Sequence, residues 1–347
     1  MTRRCNKILV VRNDRLGDFM LAFSAFALLK ENLPTVQVHA LIPSYTEEMA
    51  RLCPWIDQIL LDPQTGGKLS SALALGKLLR HEKYDAIITL FSTMRVGLAA
   101  ALVRIPFRLA PATKAAQIFY NHRLVQRRSL SEKPEHCYNQ DLIRYFLGKQ
   151  GASINKNPEP PFLHFDSRHI DALKSRFYQT HGIDKKQKLI FIHPGSGGSA
   201  NNLSLEQYAR LACSLKSQNG HMFVITAGPG ERTQAENLIT RINKISALRC
   251  ILYHSTKGLR VFSEHLRFAD LFISGSTGPL HIAGALNTPT AGFYPARRSA
   301  TALRWQTLNS PSQRLGFSPE NMIDPENMEG IDVVKAAELI SEHFLYR

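Results

Sequence analysis

Cysteine is scarce in this chain of 347 residues: Cys5, Cys53, Cys137, Cys213 and Cys250 are odd in number, scattered, and form no CxxC pair. That excludes a disulfide framework and a cysteine-based zinc site, and it suits a reducing compartment. Long apolar runs are also missing. The longest, Phe19–Leu29, has eleven residues and one hydroxyl, where a membrane-spanning helix needs about 20. The N-terminus "MTRRCNKILVV" is basic, but its apolar run Ile8–Val11 is too short for a signal-peptide core, so the chain reads as cytoplasmic. No GK[ST] P-loop, GxGxxG fingerprint, DxD run, RNP1-like pattern or short repeat occurs. A nicotinamide oxidoreductase and a metal requirement are therefore disfavoured. Acidic residues are few as well, 28 against 43 basic, leaving a net charge of +15. Such a field draws polyanions. It does not choose between nucleic acid, an anionic bilayer and a phosphorylated substrate, although the lack of a basic stripe or nucleic-acid motif argues against the first.

What is present is the balance of a soluble globular protein, 44% hydrophobic and 20% charged, at a length that predicts two domains. Strands are expected at Ile8–Val11, Val36–Ile42, Gln58–Leu61 and Ala86–Leu90, with helices near 18–31, 45–52 and 69–81. The stretch "GASINKNPEPPFLHF" (151–165) marks a boundary. Alternation then resumes: strands at Leu189–His193, Met222–Ala227, Leu271–Ser274 and Thr290–Phe293, with helices from about Ser204, from about Glu231 and near Leu280–Leu286. Residues 331–345 read as a last amphipathic helix. Strand-then-helix alternation implies parallel sheets covered on both faces. The domains expected are 1–160 and 161–330, followed by a terminal helix over 331–347.

Ligands in such sheets bind beyond the carboxyl ends of the strands, so four loops carry most weight. In the hinge "RNDRLGD" (12–18), Asp18 stands at the expected helix start after Gly17. It is either an N-cap accepting backbone N–H bonds or a general base, and the two uses compete because N–H bonds to the anion lower its basicity. Asp14 is expected to pair with a neighbouring arginine. In "HPGSGGSANN" (193–202), small residues let backbone N–H groups converge near a helix start, as a phosphate cradle requires. In "AGPGE" (227–231), Glu231 either complements the helix dipole or accepts hydrogen bonds from a ribose. In "SGSTGPLHIAGAL" (274–286), hydroxyls, glycine and another helix start offer donors to phosphate. His281 is either a buried histidine or a ligand to sugar or phosphate. Two such turns in one domain would serve a diphosphate.

"ILVVRNDRLGDFMLAFSAFALLK", "HPGSGGSANN", "AGPGE" and "STGPLHIAGAL", in this order, resemble glycosyltransferase family 9, the ADP-heptose:lipopolysaccharide heptosyltransferases, and so does the middle segment 121–148. The resemblance implies the GT-B α/β architecture: two Rossmann-like domains facing across a cleft, with the C-terminal helix returning to the first. The first domain would bind acceptor and the second nucleotide sugar. It implies an inverting transfer of heptose from ADP-heptose to a hydroxyl of the inner core of lipopolysaccharide, at the cytoplasmic face of the inner membrane of a Gram-negative cell. It also implies that no cofactor or metal is needed. By the same resemblance Asp18 is the general base. Ser196, Gly197, Gly198, Ser199, Thr277, Gly278 and Pro279 hold the donor diphosphate and Glu231 its ribose, and from their place in the same loops Asn201, Ser276 and His281 are expected to line the donor site as well. Arg12 and Arg15 of the hinge, and Arg123, are expected to meet the anionic acceptor.

Two departures from the family pattern stand out. Members usually carry Lys followed by Trp-Pro in the second loop, where this chain has Asn201, Leu203 and Ser204. An amide cannot supply the cation that stabilises a departing diphosphate. Either Arg297, Arg298 or Arg232 substitutes, or donor specificity or activity is altered. Some members have Asp where this chain has Ser276. Two alternatives to the heptosyl reading follow: a relative using another nucleotide sugar, and a weakly active or inactive relative that binds anionic glycolipid.

Overall fold

The computed structural model describes residues 5–63, 67–112, 115–198, 201–320 and 324–346. The chain divides into two compact units, one ending at Glu159 and the other beginning at Pro160, within the proline-rich stretch singled out above.

The first unit runs β1 (Lys7–Val11), α1 (Leu16–Leu21), α2 (Phe23–Asn32), β2 (Gln37–Ile42), α3 (Glu47–Arg51) and β3 (Gln58–Leu61). It continues through α4 (Lys68–Glu82), β4 (Ala86–Thr89), α5 (Met94–Leu102), β5 (Phe107–Pro111), β6 (His122–Leu124) and α6 (Glu135–Lys149). The six strands lie in the order β3-β2-β1-β4-β5-β6, and every neighbouring pair is parallel. Ile8–Val11 and Ala86–Thr89 are buried throughout, the uninterrupted pattern of strands covered on both faces. Where one helix over 18–31 is expected, two form, joined at Ala22. Phe23–Leu29 are all buried, and Phe19 meets Phe23 and Phe26 edge-on. A segment buried on all sides has no polar face, so its charges gather at its ends.

The second unit opens with α7 (Ser167–His181), β7 (Lys188–His193), α8 (Leu205–Ser214), β8 (His221–Ala227), α9 (Arg232–Ile245) and β9 (Cys250–His254). Then follow α10 (Gly258–Leu266), β10 (Leu271–Gly275), α11 (Gly278–Ala285), β11 (Thr290–Phe293), β12 (Arg314–Phe317) and α12 (Val333–Ile340). Its sheet order is β12-β11-β10-β7-β8-β9, again parallel throughout. Counted from its own first strand, this is the order of the first sheet. Both are doubly wound Rossmann-type sheets, and each reverses direction between its first and fourth strands: β1 beside β4, and β7 beside β10.

The terminal helix forms within the span expected for it. Val333, Ala336, Ala337 and Ile340 of α12, with Phe344 and Leu345 beyond it, share one core with Tyr208, Leu211 and Ala212 of α8. An amphipathic pattern announces that a face is buried but does not name its partner.

All five cysteines are free thiols. Among the described residues, no helix is long and apolar enough to cross a membrane, and no group of three His, Cys, Asp or Glu side chains could hold a metal ion.

Candidate active site

The hinge leaves the first sheet at its reversal point. Arg12 N–H donates to Leu41 O on the β2 side (3.2 Å), and Leu90 N–H donates to Val11 O on the β4 side (3.0 Å). Residues after β1 thus emerge in the crevice where open parallel sheets bind ligands. Asp18 does not cap the helix. Arg15 occupies the N-cap without a side-chain bond, and Asp18 is the third helical residue, with Gly17 inside the helix before it. Its carboxylate is free of capping N–H bonds and turns instead to Arg12.

Arg12 is the organising residue, and it lies in the interior, 1% exposed. Its Nε donates to Asp14 Oδ1 (2.9 Å) and its Nη1 to Glu135 Oε1 and Asn139 Oδ1 (both 3.2 Å), while Nη2 donates to Asp18 Oδ1. Glu135 and Asn139 stand one turn apart on α6, so one face of that helix presents both acceptors. Arg128 adds a second guanidinium, its Nη1 2.6 Å from Glu135 Oε1. The pairing expected for Asp14 is present. The acceptor-binding role expected for Arg12 is corrected: a guanidinium enclosed by three carboxylates and an amide has no surface to offer a phosphate. It fixes Asp18 instead. Arg15 and Arg123 are exposed, the latter on edge strand β6.

Burial pushes the Asp18 carboxyl up to about 6; Arg12 opposes the rise, and the charges of Asp14 and Glu135 add to it. Such a group is ionised at neutral pH yet accepts a proton far more readily than an ordinary aspartate, the condition for a general base.

In the second unit, the turns after β7 and β10 flank its reversal point, so two of the four loops singled out in the sequence are brought together. Glu231 joins the turn after β7 to the turn after β8. Its Oε1 accepts from Gly197 N–H (3.1 Å) and its Oε2 from Gly228 N–H (2.9 Å). A Cβ at Gly195 would lie 2.2 Å from Glu231 Oε1, so this approach needs glycine. Gly197 and Gly198 take left-handed φ values of 51° and 70°, open to glycine at little cost. Glu231 itself sits at the N-cap of α9 without capping it. Beneath it, His193 Nδ1 meets Thr226 Oγ1 at 3.0 Å and His193 Nε2 lies 3.5 Å from Glu231 Oε2. Burial lowers the His193 pKa while Glu231 pulls the other way.

The turns after β7 and β10 are joined by residues the sequence reading does not single out. Asn202 Nδ2 donates to Pro194 O (2.8 Å) and Gly195 O (3.2 Å), while its Oδ1 accepts from Tyr208 Oη (2.5 Å). Tyr208 Oη also accepts from Gly275 N–H at 3.0 Å. A Cβ at Gly275 would stand 2.5 Å from Asn202 Oδ1. The Asn-Asn pair hints at a turn, but nothing in its spacing says that the second amide ties two loops together.

Thr277 is the N-cap of α11, followed by Gly278 and Pro279 in its first turn. Its hydroxyl meets Ser274 Oγ at 3.0 Å. His281 is buried four residues into that helix, and Ser276 and Ser196 are half-buried. Asn201 is exposed and donates to Glu326 O at 3.3 Å. Ser199 lies outside the described residues.

The family model described as glycosyltransferase family 9 (heptosyltransferase) matches residues 72–313. A protein of Haemophilus influenzae, provisionally named a glycosyltransferase, is 44% identical over 336 residues, covering 96% of each chain. A solved family 9 glycosyl transferase from Veillonella parvula superposes with a TM-score of 0.78 at 15% identity, covering 98% of this chain and 97% of that one. The Escherichia coli ADP-heptose lipopolysaccharide heptosyltransferase II does so at 0.71 and 17%, covering 97% and 99%. The two Rossmann-like units are thus those of GT-B enzymes, and the chain belongs to glycosyltransferase family 9.

Proposed function

We propose that this glycosyltransferase moves heptose from ADP-heptose to a sugar hydroxyl of the lipopolysaccharide inner core, with inversion at the anomeric carbon. The observation that carries the reading is Asp18: a mostly enclosed carboxylate at the sheet's reversal point, steered by a buried arginine and raised toward neutrality. Asp18 takes the proton of the acceptor hydroxyl as that oxygen bonds to the anomeric carbon. The bond from that carbon to the diphosphate oxygen breaks, and ADP leaves carrying the electron pair. The backbone N–H groups of Gly198 in the turn after β7 and of Gly278 at the α11 start receive the developing charge, where preorganised donors are most effective, whereas those of Gly197 and Thr277 are given to Glu231 Oε1 and Gly275 O. Glu231, with its two oxygens at the rim of two turns, accepts from the ribose.

The donor assignment draws support from the E. coli relative, whose description names ADP-heptose and lipopolysaccharide. Arg15 and Arg123, both exposed, are proposed to meet acceptor phosphates. The excess of basic residues favours peripheral attachment at an anionic membrane surface.

Calorimetry with ADP, ADP-heptose, UDP-sugars and NAD, paired with turnover on heptose-deficient lipopolysaccharide, tests the reading. Binding of ADP-heptose with transfer is expected. Turnover of a UDP-sugar alone moves the assignment to another nucleotide sugar, binding without transfer favours an inactive relative, and NAD binding alone overturns the proposal.

A further inference from the structure

A diphosphate held only by backbone N–H groups lacks a full positive charge. Residues 194–204, after β7, contain no Lys or Arg, and neither do residues 276–279, after β10. Arg232 after β8 is engaged one turn along its own helix with Glu236 (2.8 Å). The turn after β11 differs. Arg297 Nη1 lies 2.9 Å from Glu326 Oε1, both side chains being about half exposed, 57% and 50%. Ala296 N–H donates to Pro325 O at 2.7 Å, which locks the two segments side by side. Asn201 reaches the same residue, its amide donating to Glu326 O. The Asn201 carbonyl in turn lies 3.5 Å from where a Cβ of Gly275 would stand. Arg297 is thereby tied, through Glu326 and Asn201, to both turns at the reversal point of the sheet.

From this juxtaposition we infer that Arg297 is the cation of the donor-diphosphate subsite, and that Glu326 is the counter-ion it leaves when the diphosphate arrives. The inference rests on the nucleotide-diphosphate reading above and names the residue that sets affinity for its phosphates. An exposed ion pair between these side chains is weak. A charge-assisted, two-pronged bond to phosphate is stronger, so exchange of partners is favoured once ligand binds. Glu326 therefore acts as a competitor, absent ligand, for the charge that the phosphates need.

The test is calorimetry with ADP, UDP and AMP on the full chain. Arg297→Gln is expected to weaken ADP at least tenfold and AMP no more than about twofold, with the melting temperature unchanged because the side chain is exposed. Glu326→Gln is expected to tighten ADP severalfold. Adding Asn201→Lys to Arg297→Gln is expected to restore most of the loss, because position 201 lies beside the same subsite. Wild-type affinity for ADP in Arg297→Gln overturns the inference, as does an equal loss for AMP. A wild-type chain that binds neither ADP nor UDP overturns the nucleotide reading itself, a different result from either.

Discussion

A buried guanidinium is tolerable only when its donors are matched, and Arg12 is matched by Asp14, Asp18, Glu135 and Asn139. Removing it leaves three carboxylates facing one another. Arg12→Ala is therefore expected to cost about 3–5 kcal/mol, the usual penalty for breaking a buried ionic cluster from one side; a denaturant midpoint close to wild type would contradict this. Asp18 yields a pH prediction. A base works only when ionised, so kcat/KM is expected to fall as pH drops through about 6. Glu135→Gln removes a like charge from its neighbourhood and frees Arg12 to serve it, so the inflection should move to lower pH. An inflection unmoved, or moved upward, would detach Glu135 from Asp18. At this scale the sequence was only partly legible. The carboxylate at the hinge could be read from its place after a strand. Arg12 could not, because net charge suggests exposure while the acceptors that bury it come from α6, more than a hundred residues away.

The turns after strands are the elements that make the second unit a candidate for diphosphate binding. Glu231 and Asn202 brace them so closely that glycine is required at two points. In Gly195→Ala the new methyl would enter the space of the Glu231 carboxylate. Displacing that brace is expected to weaken nucleotide binding tenfold or more while costing about 1–3 kcal/mol of stability, as overpacking usually does; titration with ADP and a urea melt separate the two effects. The α8 start shows the reverse case, in which local sequence suffices. Ser204 and Gln207 form a reciprocal capping box, so Ser204→Ala should cost about 1 kcal/mol and leave nucleotide affinity unchanged. The sequence reading leaves out helices α5, α6, α7 and α10 and strands β5, β6, β9 and β12. Helix α7 carries legible signals, Asp166 capping its start and left-handed Gly182 ending it, that the strand–helix alternation overshadowed. Strands β6 and β12 sit at sheet edges, where mostly half-buried side chains give no continuous apolar run, whereas the edge strand β9 has one, Cys250–Tyr253, that the strand–helix alternation did not bring out.

For the whole molecule, two sheets with the same strand order have equivalent reversal points, and three of the four loops singled out in the sequence, after β1, β7 and β10, lie at them. The alternation of strands and helices made that plan legible, since uninterrupted apolar strands leave few folds besides parallel sheets with helices on both faces. The terminal helix was legible as an element, but the α8 core it joins was not, because an amphipathic face fits any core that accepts it. The charge of +15 belongs to this scale too. Vesicles rich in anionic lipid are expected to sediment the protein at low ionic strength and release it as salt approaches 0.5 M, because exposed charges are screened within about a Debye length. Equal recovery with neutral vesicles would assign the charge to solubility alone. The account as a whole depends on Asp18 being the group that accepts the acceptor's proton. Measuring Asp18→Asn for both ADP-heptose affinity and heptose transfer tests that most directly. The account predicts affinity within about twofold of wild type and transfer reduced by about 10²–10⁴. Transfer at the wild-type rate would contradict it.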